Sequence, residues 1–111
     1  MNLFVFIQHE EDTINPVSLE ALKGAQEIAE KSDGSVSAIT FSSITGEKLK
    51  GYDLNEILVI EDQNLETYNP LYYIKAMTDV AEGESIDILI FGHTYEARDW
   101  VPRLSARLDI P

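Results

Sequence analysis

The strongest constraint on this chain is the recurrence of four short, predominantly apolar runs, at residues 3–7, 36–41, 57–60 and 86–91. Each is rich in β-branched or aromatic residues and bounded by polar ones. A run without polar–apolar alternation belongs to a strand covered on both faces, the situation inside a parallel sheet. Stretches of helical spacing lie between the runs, so strand and helix alternate along the chain. That order implies right-handed crossovers and an α/β fold, a doubly wound, mostly parallel sheet with helices on both faces. At 111 residues and 44% hydrophobic, the chain suits one domain spanning 1–111 better than two small ones.

Local signals place the helices. Asn15-Pro16 opens the first, a capping residue followed by proline at the helical position where a missing N–H costs nothing. Leu22, Ala25, Ile28 and Ala29 form its predicted apolar stripe, and Ser32-Asp33-Gly34 is the expected stop. The second helix is short, over 45–51, bracketed by Gly46 and Gly51. Asn69-Pro70 opens the third, predicted over 70–81 with Tyr73, Ile74, Met77 and Val80 at helical spacing. A fourth follows the last strand and carries Val101, Leu104 and Leu108 on one face. Residues 61–69 read as a loop.

Charge and composition narrow the function. Twenty acidic residues against eight Lys and Arg leave a formal net charge of −12. Binding a phosphate backbone or an anionic membrane surface needs clustered cations, so the charge argues against both, and cationic partner surfaces are favoured. The absence of cysteine excludes disulfides, thiolate catalysis and sulfur-ligated zinc or iron–sulfur sites. His9 and His93 are too few for a histidine-rich metal site. No apolar run approaches the roughly 20 residues that cross a bilayer, and the N-terminus lacks a signal-peptide pattern. The expectation is a soluble, cytoplasmic protein, or one of the mitochondrial matrix in a eukaryote.

Ligands of an open α/β sheet sit outside the carboxyl ends of its strands, so the loops after the four runs are where function is sought. The first, Gln8-His9-Glu10-Glu11-Asp12, holds three carboxylates and no glycine, and repels a phosphate instead of cradling it. The dinucleotide fingerprint, the P-loop and a Ser/Thr-rich flavin-phosphate loop are all absent. Glu11 and Asp12 with Asp62 after the third strand form a candidate constellation for magnesium, similar to a phosphoreceiver with Asp62 as phosphoacceptor and Thr94 beyond strand four. The lysine such a receiver needs has no counterpart. Solvated loop acids are the plainer reading, and no metal site is assigned.

The most informative segment is 91–108, which carries all three arginines of the chain. Gly92 permits a tight turn off the strand. Pro102 belongs in a helix's first turn, so the helix is expected to begin near Asp99, with an Asp or Thr cap and Arg103 one turn on to pair with Asp99. These start signals account for Asp99, Pro102 and Arg103 but leave Arg98 unexplained. A cation just ahead of a helix N-terminus is disfavoured and needs an acidic partner.

The pattern Gly92-x-Thr94-x-x-x-Arg98-Asp99-x-x-Pro102-Arg103-Leu104-x-Ala106-Arg107-Leu108 resembles the signature of the N-terminal domain of electron transfer flavoprotein alpha subunits. Asn15-Pro16-Val17-Ser18-Leu19-Glu20-Ala21-Leu22 and Leu65-x-x-Tyr68, with Tyr72 or Tyr73 beyond, support it across the whole chain. Glu96-Ala97 departs from it, since the family usually has small residues there, with glycine before the arginine. The resemblance implies a Rossmann-like, adenine nucleotide alpha hydrolase-like fold. It also implies a FAD-containing carrier in which an alpha and a beta subunit pair, taking electrons from dehydrogenases and passing them to a quinone reductase. FAD is then held mainly by a separate C-terminal domain of alpha, so none is expected on this chain alone. The role left for 1–111 is a scaffold and subunit contact without catalytic residues.

Gly92, Thr94, Arg98 and Asp99 are the weak cofactor-binding candidates, and a stand-alone nucleotide-binding module built on 92–99 is the alternative beside the phosphoreceiver. His93 is read as a loop residue bonded to backbone, and Thr94 as a turn or cap residue. Trp100, Tyr68, Tyr72 and Tyr73 are read as packing residues in preference to flavin-stacking ones.

Overall fold

A computed structural model describes residues 1–110. Four parallel strands, β1 (Asn2–Phe6), β4 (Ser35–Thr40), β5 (Ile57–Val59) and β6 (Ile88–Phe91), form one sheet in the order β5-β4-β1-β6. Three helices connect them, α1 (Pro16–Ser32), α2 (Ser43–Leu49) and α3 (Pro70–Gly83), and α4 (Tyr95–Leu108) follows β6. The doubly wound fold read from the sequence is therefore present, with every strand of this sheet parallel.

Alternate residues of each strand feed opposite layers, because side chains in a strand point to alternate faces. Leu3, Val5 and Ile7 with Val36 and Ala38 pack under Leu22, Ala25 and Ala29 of α1 and Leu49 of α2. Phe4, Phe6, Ile39 and Phe41 pack under Tyr73, Ile74 and Met77 of α3 and Trp100 and Leu104 of α4. Trp100 is the largest fully buried side chain, and Phe6, Tyr73 and Phe91 meet it edge-on at 5.2–5.4 Å between ring centroids. The reading of Trp100 and Tyr73 as core is thus correct, while Tyr72 is 43% exposed.

Four expectations change in detail. Ile28, expected in the stripe of α1, is 45% exposed, and Ser18 takes a buried place at the helix start instead. The stop of α1 works as predicted in chemistry but not in division of labour. Asp33 adopts the left-handed conformation at φ 55°, while Gly34 is required because a Cβ there would lie 2.7 Å from the Met1 carbonyl oxygen. The second helix starts two residues early, capped by Ser42, and encloses Gly46. The acidic loop is a small antiparallel hairpin, β2 (His9–Glu10) with β3 (Thr13–Ile14), turning through Glu11 at φ 54°.

The fourth helix departs most. It begins at Tyr95, not near Asp99, and its cap is Thr94, whose Oγ1 accepts the Ala97 N–H at 3.0 Å. Pro102 is the eighth helical residue instead of a first-turn one. Proline there removes the donor to the Arg98 carbonyl, but both residues are exposed, so water can satisfy that oxygen. The Arg103–Asp99 pair forms as expected at 3.0 Å.

Candidate functional site

The strand order puts the topological switch point between β1 and β6, whose following segments leave the sheet in opposite directions over its two faces. Two helix N-termini converge there. Asn15 caps α1 by accepting the Val17 N–H at 2.8 Å, and Thr94 caps α4. Gly92 is what lets them meet: a Cβ on it would stand 3.0 Å from the backbone carbon and oxygen of Val17. Larger grooves exist between β5 and α3, 570 Å³, and at the amino end, 820 Å³, but neither gathers helix N-termini.

Gln8, 9% exposed, ties the crevice together. Its N–H donates to the Ser18 hydroxyl at 2.9 Å, and its carbonyl accepts the Asn15 N–H. The Thr94 hydroxyl donates to Gln8 Oε1 at 2.6 Å, across the switch point. Gln8 Nε2 donates to Glu10, which also accepts from Asn15 Nδ2 at 2.9 Å. The hollow left around this network measures 530 Å³ and is walled by Glu10, Val17, His93, Tyr95, Glu96 and Arg98.

Its electrostatics are acidic. Burial, followed by repulsion from Glu10, holds the Glu96 carboxyl above its ordinary value, with His9 acting in the opposite direction. Behind it, burial and then the Glu96 and Glu10 charges push the Tyr73 hydroxyl up to about 12. Tyr68 is raised as well, by desolvation first and then by its hydrogen bond to Asp99 at 2.6 Å.

The structure separates the candidate residues. Gly92 and Thr94 form the crevice, and Arg98 stands at its mouth, exposed, with its guanidinium 6.0 Å from the Tyr95 ring centroid. Asp99 is engaged by Tyr68 and Arg103 instead. His93 is an exposed loop residue lining the mouth. The phosphoreceiver constellation is not assembled. β4 lies between β1 and β5, and Asp62 spends its carboxylate on the Asn64 N–H at 2.8 Å. Glu11 and Asp12 sit in the hairpin turn, where the Asp12 carbonyl accepts from Lys48. Among the described residues no group of three or more His, Asp or Glu side chains is placed to hold a metal ion.

Gln8, Ser18 and Asn15 form the centre of the crevice, and sequence reasoning did not single them out for it. The available signal was position alone: Gln8 is the first polar residue after an apolar run and Ser18 the third of a helix. Tested against a flavin pyrophosphate, the crevice does not fit. Two carboxylates face it, the Thr94–Gln8 bond spans it, and the loops supply no glycine-rich run of free N–H donors.

The family model described as electron transfer flavoprotein domain matches residues 3–111. The chain is 32% identical over 109 residues to protein FixB of Clostridium saccharobutylicum, covering 96% of this chain and 33% of that protein. It is 34% identical over 95 residues to the electron transfer flavoprotein subunit alpha of Bacillus subtilis, covering 83% and 29%. It is also similar, at 24% over 110 residues, to the acryloyl-CoA reductase electron transfer subunit beta of Anaerotignum propionicum, covering 96% and 30%. The chain spans about a third of the length of these curated relatives. No described helix is long and apolar enough to cross a membrane.

Proposed function

The chain belongs to the electron transfer flavoprotein domain family, and from that premise we propose that residues 1–111 act as the N-terminal domain of an alpha subunit, a scaffold and subunit-contact module. The complete flavoprotein carries FAD on a C-terminal domain of alpha, pairs with a beta subunit, and moves electrons from dehydrogenases to a quinone reductase in the cytoplasm. This domain contributes no catalytic residue to that traffic. One observation carries the reading: the crevice where such folds hold nucleotides is filled by the Thr94–Gln8–Ser18 network and walled by Glu10 and Glu96. With a phosphate ligand disfavoured there, the work left to the fold is to present a rigid surface to other polypeptides.

Arg98 is the side chain proposed to meet an acidic group of the partner. Its position in the first turns of α4 is electrostatically unfavourable, and it makes no ion pair among the described residues. The test is to purify residues 1–111 alone and together with a beta subunit and the downstream alpha region. The expected result is a colourless isolated chain and a yellow, stoichiometric assembly. Flavin retained by residues 1–111 alone through gel filtration would overturn the reading.

A further inference from the structure

Two residues from separate stretches of the sequence meet outside the crevice. The Tyr68 hydroxyl donates to Asp99 Oδ2 at 2.6 Å, 31 residues further along the chain. Arg103 holds the other carboxylate oxygen at 3.0 Å, which leaves Oδ2 to the phenol. So short a bond from a phenol to a carboxylate is of the charge-assisted kind. Desolvation, and then this bond, keep the Tyr68 hydroxyl protonated well above the ordinary phenol range.

Behind Tyr68 the rings continue inward. Tyr68 meets Tyr73 edge to face at 5.2 Å between centroids, and Tyr73 meets Trp100 in the same way at 5.4 Å. Aromatic rings at these separations are in contact, so an electron passes from one to the next without crossing a gap. Trp100 is the single tryptophan of a chain without cysteine and is 1% exposed. Indole and phenol rings lose one electron far more readily than phenylalanine does. Of the rings packed on Trp100, Phe6 and Phe91 therefore resist oxidation and Tyr73 does not. Tyr73 is itself buried, and burial above all pushes its hydroxyl up to about 12, so it is ill placed to shed a proton. Tyr68 is half-buried, reachable from solvent, and has its proton acceptor in place.

We propose that Trp100, Tyr73 and Tyr68 form a relay that carries an oxidising equivalent out of the core and localises it on Tyr68 beside Asp99. The relay is separate from the flavin traffic and does not rest on the family reading. Its oxidant is a one-electron radical oxidant, which takes one electron from Trp100 and is itself reduced by one. Tyr73 refills Trp100 and Tyr68 refills Tyr73, while the Tyr68 O–H bond breaks and its proton passes to Asp99 Oδ2. A neutral phenoxyl radical remains on Tyr68. The proton arrives on a carboxylate whose ion pair with Arg103 is half-exposed, so neutralising that pair costs little. A thiolate from solvent then returns the electron to Tyr68, becoming a thiyl radical, and Asp99 returns the proton. The indole at the centre of the core is restored, and the chemistry is confined to a side chain that solvent reaches.

Flash photolysis of residues 1–111 tests this. Light that only the indole absorbs excites Trp100, and hexaamminecobalt(III) accepts the electron irreversibly. The indole radical should decay as a phenoxyl radical appears, in transient absorption and in electron paramagnetic resonance, and the step should slow in deuterium oxide because a proton moves with the electron. Tyr68→Phe should lose the phenoxyl signal and prolong the indole radical. Tyr73→Phe should delay the transfer, and Asp99→Asn should slow it and change its isotope effect. Tyr52→Phe and Tyr95→Phe, at exposed rings outside the chain of contacts, should leave it unchanged. Circular dichroism checks the fold of each variant, and the parent needs no substitution: absence of a phenoxyl radical after the flash overturns the relay. An undiminished signal in Tyr68→Phe overturns it too, as does parental transfer in Tyr73→Phe or in Asp99→Asn, or loss of the signal in Tyr95→Phe.

Discussion

Replacing Thr94 by alanine removes two interactions made by one hydroxyl. The oxygen accepts the Ala97 N–H at the start of α4, and the hydrogen goes to Oε1 of the nearly buried Gln8. Loss of an N-cap costs about 0.5–2 kcal/mol, and loss of one hydrogen bond to a buried amide about 0.5–1.5 kcal/mol more. The sum, roughly 1–3.5 kcal/mol, corresponds to a fall in Tm on the order of 5–15 °C for a domain of this size. Thr94→Ser keeps the hydroxyl and should stay within about 0.5 kcal/mol of the parent. Asp99→Ala is the comparison, because the sequence alone made Asp99 a candidate cap. Its carboxylate is half-exposed and pairs with a half-exposed Arg103, so together with the Tyr68 bond its loss should cost about 1 kcal/mol or less. Urea unfolding at pH 7, with m-values checked for constancy, measures all three. If Asp99→Ala is the more damaging, or Thr94→Ser is as harmful as Thr94→Ala, the assignment of the cap and of the bond across the switch point is wrong.

Gly92→Ala should destabilise by about 1–3 kcal/mol, since its Cβ would meet the Val17 backbone at 3.0 Å. Gly24→Ala, with nothing within 4 Å inside α1, should stabilise by about 0.5–1 kcal/mol, and thermal melts of the pair distinguish contact from propensity. Glu96→Gln tests the acidic crevice through pH. A carboxyl raised in the fold binds more protons folded than unfolded, so the parent gains stability relative to the glutamine variant as pH falls from 7 through the raised value, and the gain is complete below the ordinary 4.5. A stability difference independent of pH would show that burial and the Glu10 charge do not raise the Glu96 carboxyl. Arg98→Ala should leave the isolated domain within about 0.5 kcal/mol yet weaken its capture by a beta subunit; a large loss of stability in the isolated chain would make Arg98 an internal structural residue.

The sequence by itself determined which segments become strands and helices, because buried strands and capped amphipathic helices are local patterns. The apolar runs set the strands to within about two residues, and Asn15-Pro16 and Asn69-Pro70 fixed the starts of α1 and α3. The block from Gly92 to Leu108, with Asn15–Leu22 and Leu65-x-x-Tyr68 in support, was enough to indicate the family. Tertiary structure decided the rest. The start of α4 was misread because Pro102 is a local signal for a first turn, whereas the Thr94 hydroxyl, held by Gln8 across the switch point, caps the buried Ala97 N–H four residues earlier than Asp99 would start the helix, and the missing hydrogen bond at Pro102 falls on the exposed side. The neighbouring of Gln8 and Thr94, 86 residues apart, follows from β1 and β6 pairing, and strand order is a property of the packed sheet that no local pattern encodes. The half-exposed edge of β6 is likewise invisible in its sequence, since Ile-Leu-Ile-Phe reads as a strand buried on both sides, and only the assembled sheet shows which side stands open.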